Sequence, residues 1–377
     1  MESIIDRTGK EPVFKQIYAI LVSEIDSGVY GESRKLPSEK EFCARFDVER
    51  NTVRKALQML VDEARIFRVP GIGSFILPAS EEDGAACPGR VQANSALRGA
   101  GSIVLLITQV DYLHSAGGES FHYKLIHTFE KRLSLLGYNM LFKPVYQDGA
   151  LTDTIRGASP GGIIFDSCNQ DAYYAEASRF GLPCVSVNHY TPLFTSVVSD
   201  NFNGAYRVAE RLTQTGHRRI AFVIGKSSHQ TTVERLNGIR SLYARMGFSI
   251  KNECLFPSDW TFKSGAEAAR TILGMKKKDR PTAVFAFNDD LAYGCYSVFK
   301  SQGLAVPEDI SIVGFDKSDR YTQMFPPVST VDVNMDAIVD YACWYLSDRI
   351  SRQAPRTCAR IQIDTAFCDN GTIKNMS

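Results

Sequence analysis

What this chain lacks removes whole classes of function. No apolar run approaches the roughly 18 residues that a membrane-spanning helix needs. The first residues, MESIIDRTGKEPVF, do not show the basic-then-apolar order of a signal peptide, so a cytoplasmic protein is expected. Its nine cysteines are odd in number, scattered, and never paired as C-x-x-C. Most sit in apolar stretches such as PCVSV, which reads as reduced, buried thiols and not as a disulfide frame or a zinc site. The six histidines show neither H-x-x-x-H nor H-E-x-x-H spacing, so no metal site is expected. There is no G-x-S-x-G elbow. The IGKS that ends RIAFVIGKS resembles the close of a P-loop, but Ile220 stands where the first glycine belongs, and without it the loop cannot wrap phosphates. No enzyme and no cofactor are expected. Excess charge is also missing: the formal net charge is +1, so any footprint on a polyanion must be local.

The local charge is found early. Residues 1–77 carry 12 basic and 12 acidic side chains, yet Arg50 to Arg68 holds five bases against two acids. The surrounding pattern is that of a small helical domain. Val13 to Ser27 places Ile17, Ile20, Leu21 and Ile25 on one helical face, with Gly28 as the stop. LPSEKEF offers Ser38 as an N-cap with Glu41 three residues on, a capping box. A third helix from about Arg50 to Glu63 turns Val53, Leu57 and Leu60 inward, and IFRVPGIGSFIL reads as a β-hairpin around a Pro-Gly-x-Gly turn. Arg50 and Arg54, four apart, share a helix face. In isolation such a pair is most simply a solvated face. Behind a capped helix and a sharp turn at Asp47-Val48, and ahead of a glycine-tipped hairpin, it takes the place of the base-reading side chains in a winged helix-turn-helix. Arginine suits that task because its planar fork matches the guanine edge, while Asn51 and Thr52 supply short phosphate donors.

Beyond Leu77 the composition changes twice. Pro78 to Gly101 is small, polar and aperiodic, as a linker would be. From Ser102 onward short apolar runs (IVLLIT, GGIIFD, PCVSV, RIAFVI, TAVFAF, ISIVGF) alternate with helical segments such as FHYKLIHTFEKRLSLLG. That rhythm indicates βαβ units on a parallel sheet, and its extent suggests two α/β lobes. The expected organisation is therefore a 1–77 DNA-binding domain, a 78–101 linker and a 102–377 two-lobed domain for effector binding and dimerisation. In open α/β sheets ligands sit outside the carboxyl ends of strands, which points to Asn288 and Asp316. Helix capping for Asn288 and an exposed loop role for Asp316 are the plainer alternatives.

Two resemblances add to this reading. LPSEKEFCARFDVERNTVRKALQMLVDEARIFRVPGIGSFI resembles the DNA-binding domain of the GntR family, over about residues 11–77. The resemblance implies a phosphate contact at Lys40, base contacts from Arg50 and Arg54, and a wing tip at Gly71 and Gly73 that approaches the minor groove. Two positions depart from the family pattern. Glu49 replaces the usual serine and would repel phosphate, and Glu63-Ala64-Arg65-Ile66 replaces the usual E-G-L, so that Arg65 is available for a backbone contact.

The segments SDNFNGAYRVAERLTQTGHRRIAFVIG, ERLNGIRSLYARMGF, AVFAFNDDLAYGCYSVFKSQGLAVPEDISIVGFD and PPVSTVD resemble the periplasmic-binding-protein-like (type I) effector domain of the LacI/GalR family. That resemblance implies sugar-binding roles for Arg235, Asn288 and Asp316, with Trp260 covering the ligand. Arg, Asn and Asp suit vicinal hydroxyls, and an indole suits sugar C–H faces. Asn188 stands where many family members place an aspartate, so one carboxylate is lacking. Asp111, Tyr112, Phe121 and His122 are candidates for the opposite wall, Phe121 equally for the core.

The fold class expected is an α+β winged helix-turn-helix head followed by an α/β two-lobed body. The leading function is a DNA-binding transcription regulator of the arabinose-repressor type, a repressor released from a palindromic operator by a monosaccharide. A homodimer with no membrane association is expected. Two other classes fit less well. An aminotransferase-bodied regulator needs a larger C-terminal domain and a Schiff-base lysine site. A transport-type sugar receptor has no use for the winged helix.

Overall fold

The computed structural model describes residues 5, 12–30, 36–63, 65–69, 73–76, 103–109, 121–145, 151–318, 320–322, 324–352 and 358–376. The expected linker 78–101 with its Cys87, the cleft candidates Asp111 and Tyr112, and the wing-tip Gly71 lie outside them.

In the head, α1 (Val13–Asp26) buries Ile17 and Leu21 completely and ends at Ser27, after which Gly28 turns through φ +72°. The capping box forms as its residues require: Ser38 Oγ accepts from the Glu41 N–H, and the Glu41 carboxylate accepts from the Ser38 N–H at 2.7 Å, opening α2 (Glu39–Phe46). Asp47 then adopts φ 49°, a left-handed turn that stops α2 and redirects the chain into α3 (Arg50–Asp62). Glu49 is the N-cap of α3, but its side chain makes no cap hydrogen bond; its carbonyl accepts from the Thr52 N–H at 3.0 Å. Val53, Ala56, Leu57 and Leu60 are fully buried against α1 and α2, which leaves the opposite stripe of α3 to solvent. β1 (Ile66–Val69) and β2 (Gly73–Ile76) form the expected antiparallel hairpin, pairing Ile66 with Ile76 and Val69 with Gly73. Leu36 N–H donates to the Ser74 carbonyl at 2.8 Å and ties this hairpin to the entry of α2.

The body consists of two parallel sheets. The first lobe has strand order β13-β7-β6-β5-β3-β4, built from β3 (Ile103–Gln109), β4 (Asn139–Val145), β5 (Gly162–Asp166), β6 (Cys184–Val187), β7 (Thr195–Ser199) and β13 (Arg360–Ile363). Around it pack α4 (Phe121–Leu135) and α11 (Met335–Arg352), with Leu125, Phe129 and Leu133 facing Ile338, Ala342 and Leu346 across one core, while α5 (Thr152–Ala158) and α6 (Asp171–Ser178) cover a second. The second lobe has order β11-β10-β8-β9, from β8 (Ile220–Ile224), β9 (Leu255–Pro257), β10 (Ala283–Ala286) and β11 (Ser311–Val313). One face is covered by α7 (Asn201–Gln214) and α8 (Gln230–Arg245), the other by α9 (Phe262–Gly274) and α10 (Asp289–Ser301). A short antiparallel pair, β12 (Thr330–Asp332) with β14 (Ala366–Cys368), closes this lobe. Among the described residues the chain passes between the lobes three times: from β7 to α7, from β12 to α11, and from β13 to β14. No helix among them is long and apolar enough to cross a membrane.

All six apolar runs read from the sequence become strands. β4 and β13 carry no such run because they are the two edges of the first sheet. β4 alternates exposed and half-buried residues and accommodates Pro144, which an edge tolerates.

Candidate functional site

The head presents its predicted DNA-facing residues together. Lys40, Arg50, Asn51 and Arg54 are exposed, and Thr52 is half-buried. The two arginines are held by a residue that pattern reading passed over. Glu39, the first residue of α2, takes Arg50 Nε at 2.5 Å and Arg54 Nε at 3.1 Å. One carboxylate thus gathers both guanidinium groups at the surface. Gly73 lies at the start of β2. Arg65, expected to be available for a backbone contact, is instead paired with Asp26 Oδ1 at 2.8 Å and lies near Glu63, so its charge is spent within the head.

In the body a cavity of about 120 Å³ opens at the carboxyl ends of the strands of both lobes. From the first lobe come Phe121 and His122 at the start of α4, Ser167 after β5 and Asn188 after β6; from the second come His229 before α8, Arg235 within it, Trp260 after β9, Asn288 after β10 and Asp316 after β11. The backbone is bent to deliver these side chains. Ser167 (φ 52°), Asn188 (φ 57°), Trp260 (φ 73°) and Asp316 (φ 101°) all adopt left-handed conformations that non-glycine residues avoid. Such local cost is kept where surrounding structure over-determines it and function needs it.

Arg235 is the centre of the second lobe's wall. Its Nε donates to Asn201 Oδ1 at 2.9 Å, one terminal nitrogen donates to the Phe287 carbonyl, and the other lies 3.3 Å from Asp316 Oδ1. Its guanidinium sits 3.6 Å above the Phe315 ring. Burial lowers its pKa, and the Asp316 carboxylate opposes that shift. Burial likewise pushes the Asp316 carboxyl up to about 6, with Arg235 pulling it back. The Asp290 carboxyl is also raised by burial, against the pull of Arg320 at 3.3 Å. Asn288 serves both readings given to it. Its Oδ1 accepts from Leu291 N–H at 2.8 Å as the N-cap of α10, and its Nδ2 donates to the Trp260 carbonyl at 3.0 Å. It lines the cavity with one amide hydrogen and one lone pair beyond those two bonds.

Trp260 lies flat because Gly225 has no side chain. A Cβ at position 225 would fall 1.9 Å from the indole Cζ2. Asn188, where the expected carboxylate is lacking, is tied to a carboxylate in the neighbouring strand. Asn188 Nδ2 donates at 3.1 Å to Asp166 Oδ1, at the end of the adjacent strand β5. Asp166 is fully buried and also accepts from Ser167 Oγ at 2.9 Å and pairs with His122 Nδ1 at 2.8 Å. Asp166, Asn201, Gly225 and His229 were not picked out by sequence reading. Only the end-of-strand rule applied to β5, β7 and β8 would have found them. Lys226, part of the P-loop decoy, lines the cavity without any glycine loop around it.

Comparisons with known proteins agree with this geometry. Residues 14–76 match the model for bacterial regulatory proteins of the gntR family, and residues 209–366 match the periplasmic binding protein-like domain. The chain is 28% identical over 319 residues to an arabinose metabolism transcriptional repressor of Geobacillus stearothermophilus, covering 81% of this chain and 82% of that one. A transcriptional regulator LacI of Bacillus cereus subsp. cytotoxis superposes with a TM-score of 0.66 at 25% identity, over 73% of this chain and all of that one. The regulator CelR in complex with cellobiose superposes with a TM-score of 0.63 at 22% identity, over 96% of this chain and all of that one. The chain therefore carries a helix-turn-helix head similar to the gntR-family model and an α/β body similar to the periplasmic binding protein-like domain.

Proposed function

We propose that this protein is a cytoplasmic transcription repressor that releases its operator when a monosaccharide occupies the body. One observation carries the reading: a single chain holds an exposed arginine pair on α3 and a strained, polar cavity between two lobes that the described residues cross three times. The cavity's chemistry suits a polyol. Amides, carboxylates, histidines and Arg235 offer donors and acceptors, and Trp260 offers an apolar face. Of the relatives, one is named for arabinose metabolism and another is seen with cellobiose.

The mechanism is a population shift. A homodimer places two heads at half-sites of a palindromic operator, about one helical turn apart. Ligand held by residues of both lobes favours the closed cleft, and closure moves the segments that lead to the heads. The ligand then lowers operator affinity, and operator lowers ligand affinity by the same factor. Lys40, Asn51, Thr52, Gly71 and Gly73 belong to the phosphate and groove contacts, and Arg50 and Arg54 to base readout. Asp111, Tyr112, His122, Asn188, Arg235, Trp260, Asn288 and Asp316 belong to the effector site.

The test selects an operator from a random duplex library with full-length protein, then follows its binding by fluorescence anisotropy across pentoses, hexoses and uronic acids at fixed salt. One sugar is expected to weaken operator binding at least tenfold and to raise the melting temperature. Asp316→Ala should keep operator binding and lose that response. Operator affinity unchanged by every sugar that binds would overturn the repressor mechanism.

A further inference from the structure

Among the described residues the cleft contains two histidines, one on each lobe, and in both the Nδ1 atom is engaged by a partner of fixed hydrogen-bonding character. His122, at the start of α4, sets its Nδ1 2.8 Å from Asp166 Oδ2. That carboxylate is fully buried and already accepts from Ser167 and Asn188 on its other oxygen, so it is an acceptor and needs a hydrogen on His122 Nδ1. His229, the N-cap residue of α8, sets its Nδ1 3.0 Å from Trp260 Nε1. An indole nitrogen can only donate, so His229 Nδ1 is bare and the ring hydrogen sits on Nε2. The two rings are nearly parallel, 16° apart with centroids 6.0 Å from each other, which is compatible with a hydrogen bond in the imidazole plane. The same indole is confined by Gly225 on one side, and the Asn288 amide anchors the main-chain carbonyl of Trp260.

We propose that Asp166 and Trp260 hold these histidines in opposite tautomers, His122 with its hydrogen on Nδ1 and His229 with its hydrogen on Nε2. Both rings line the cavity, so the two tautomers give its opposite walls opposite polarity, and the pair selects which way round a polyhydroxylated ligand's polar groups must point. Both histidines become specificity-determining, and Asp166 becomes a positioning residue that acts on the ligand only through His122 and Asn188. The selection of a ligand rests on the effector reading given above; the tautomers do not.

The experiment uses full-length protein labelled with ¹⁵N only at its six histidines, without ligand, at about pH 8, above the ordinary histidine range. Long-range ¹H–¹⁵N correlation separates the Nδ1–H from the Nε2–H form, and His122→Gln and His229→Gln assign the two rings by loss of signal. His122 is expected in the Nδ1–H form and His229 in the Nε2–H form. Finding both in one form, or either as imidazolium, overturns the proposal, and this wild-type spectrum decides it even if a variant fails to fold. Trp260→Phe, which keeps an aromatic face and removes only the N–H, should release His229 to a mixture and leave His122 unchanged. Asp166→Asn should release His122 alone.

A second arm uses L-arabinose, D-ribose and D-galactose as probes. Any of these that raises the melting temperature should bind Asp166→Asn at least tenfold more weakly, with operator binding unchanged. Undiminished binding to Asp166→Asn would remove Asp166 from the specificity apparatus. Failure of all three sugars to bind bears on the effector reading and leaves the tautomer result standing.

Discussion

Head and body each depend on arginine at the centre of a site, and they treat it in opposite ways. In the head the Arg50 and Arg54 side chains are 68% and 50% exposed and share one glutamate at the surface. In the body the Arg235 side chain is 5% exposed and is fixed by an amide, a carbonyl, a carboxylate and an aromatic face. An exposed ion pair is weak and exchangeable, so the head's arginines can leave Glu39 for DNA at small cost. A buried guanidinium held by three partners cannot swing away to exchange them, and it keeps its two remaining N–H donors in a fixed place. The head is built to trade contacts and the body to hold them in advance.

The sharpest way to break this comparison is Arg54→Ala. A bidentate arginine–base contact is worth about 1–3 kcal/mol, so specific operator affinity should fall about tenfold to a hundredfold, measured by anisotropy at constant salt. The sugar-induced rise in melting temperature should not change, because Arg54 pairs within the head, with Glu39. A matching loss of sugar binding would mean the two regions are not separable.

Gly225→Ala tests the body's half. The added methyl cannot share space with the Trp260 indole, whose Cζ2 would be 1.9 Å away. Displacing one aromatic face from a sugar costs on the order of a kilocalorie per mole or more, so effector affinity should drop about tenfold by titration calorimetry. Operator affinity without sugar should stay as in the wild type. Unchanged effector affinity would show that the indole does not pack on the ligand.

Acid gives a graded version of the same test. The Asp316 carboxyl, pushed up to about 6 by burial, holds its proton more tightly folded than unfolded. Stability from this group is therefore largest at low pH, declines as pH rises from the ordinary carboxylate range to about 6, and is flat above. The carboxylate that can accept from a sugar hydroxyl exists only above about 6. Effector affinity should then weaken as pH falls through that value, by up to about tenfold per further pH unit, and Asp316→Asn should flatten the profile. A wild-type profile level from pH 7 to 5 would remove the Asp316 carboxylate from ligand binding.

The sequence was most legible where local chemistry decides structure. Ser38 with Glu41 specified a cap that forms as read, and the buried apolar runs specified six strands. Individual pocket positions, such as Arg235, Trp260 and Asp316, followed from a family resemblance. What stayed hidden depends on sheet neighbours. Asp166 and Asn188 are 22 residues apart, and only the parallel register of β5 with β6 brings them to one hydrogen bond. Asn188 alone gave no sign of Asp166, because that partner lies one strand over. Gly225 carried no signal either, since its role is the space it leaves for a side chain 35 positions later. Glu39 was passed over for a different reason. Its position opening α2 already suits the helix dipole, and the arginines it gathers lie on another helix.

Glu39 also supplies the finest test of the exchange idea. If the head's ion pairs merely park the arginines, Glu39→Gln removes a surface pair worth at most about 1 kcal/mol and changes specific operator affinity by less than about fivefold. It also removes one negative charge from the DNA-facing surface. Non-specific binding should therefore strengthen, and the ratio of specific to non-specific affinity should fall, because the freed guanidinium groups are no longer presented as a pair. Anisotropy against the selected operator and a scrambled duplex, each titrated with salt, reads both quantities at once. A loss as deep as that of Arg54→Ala would mean that Glu39 contacts the DNA itself, and the head would then resemble the body: a site that holds its partners in advance.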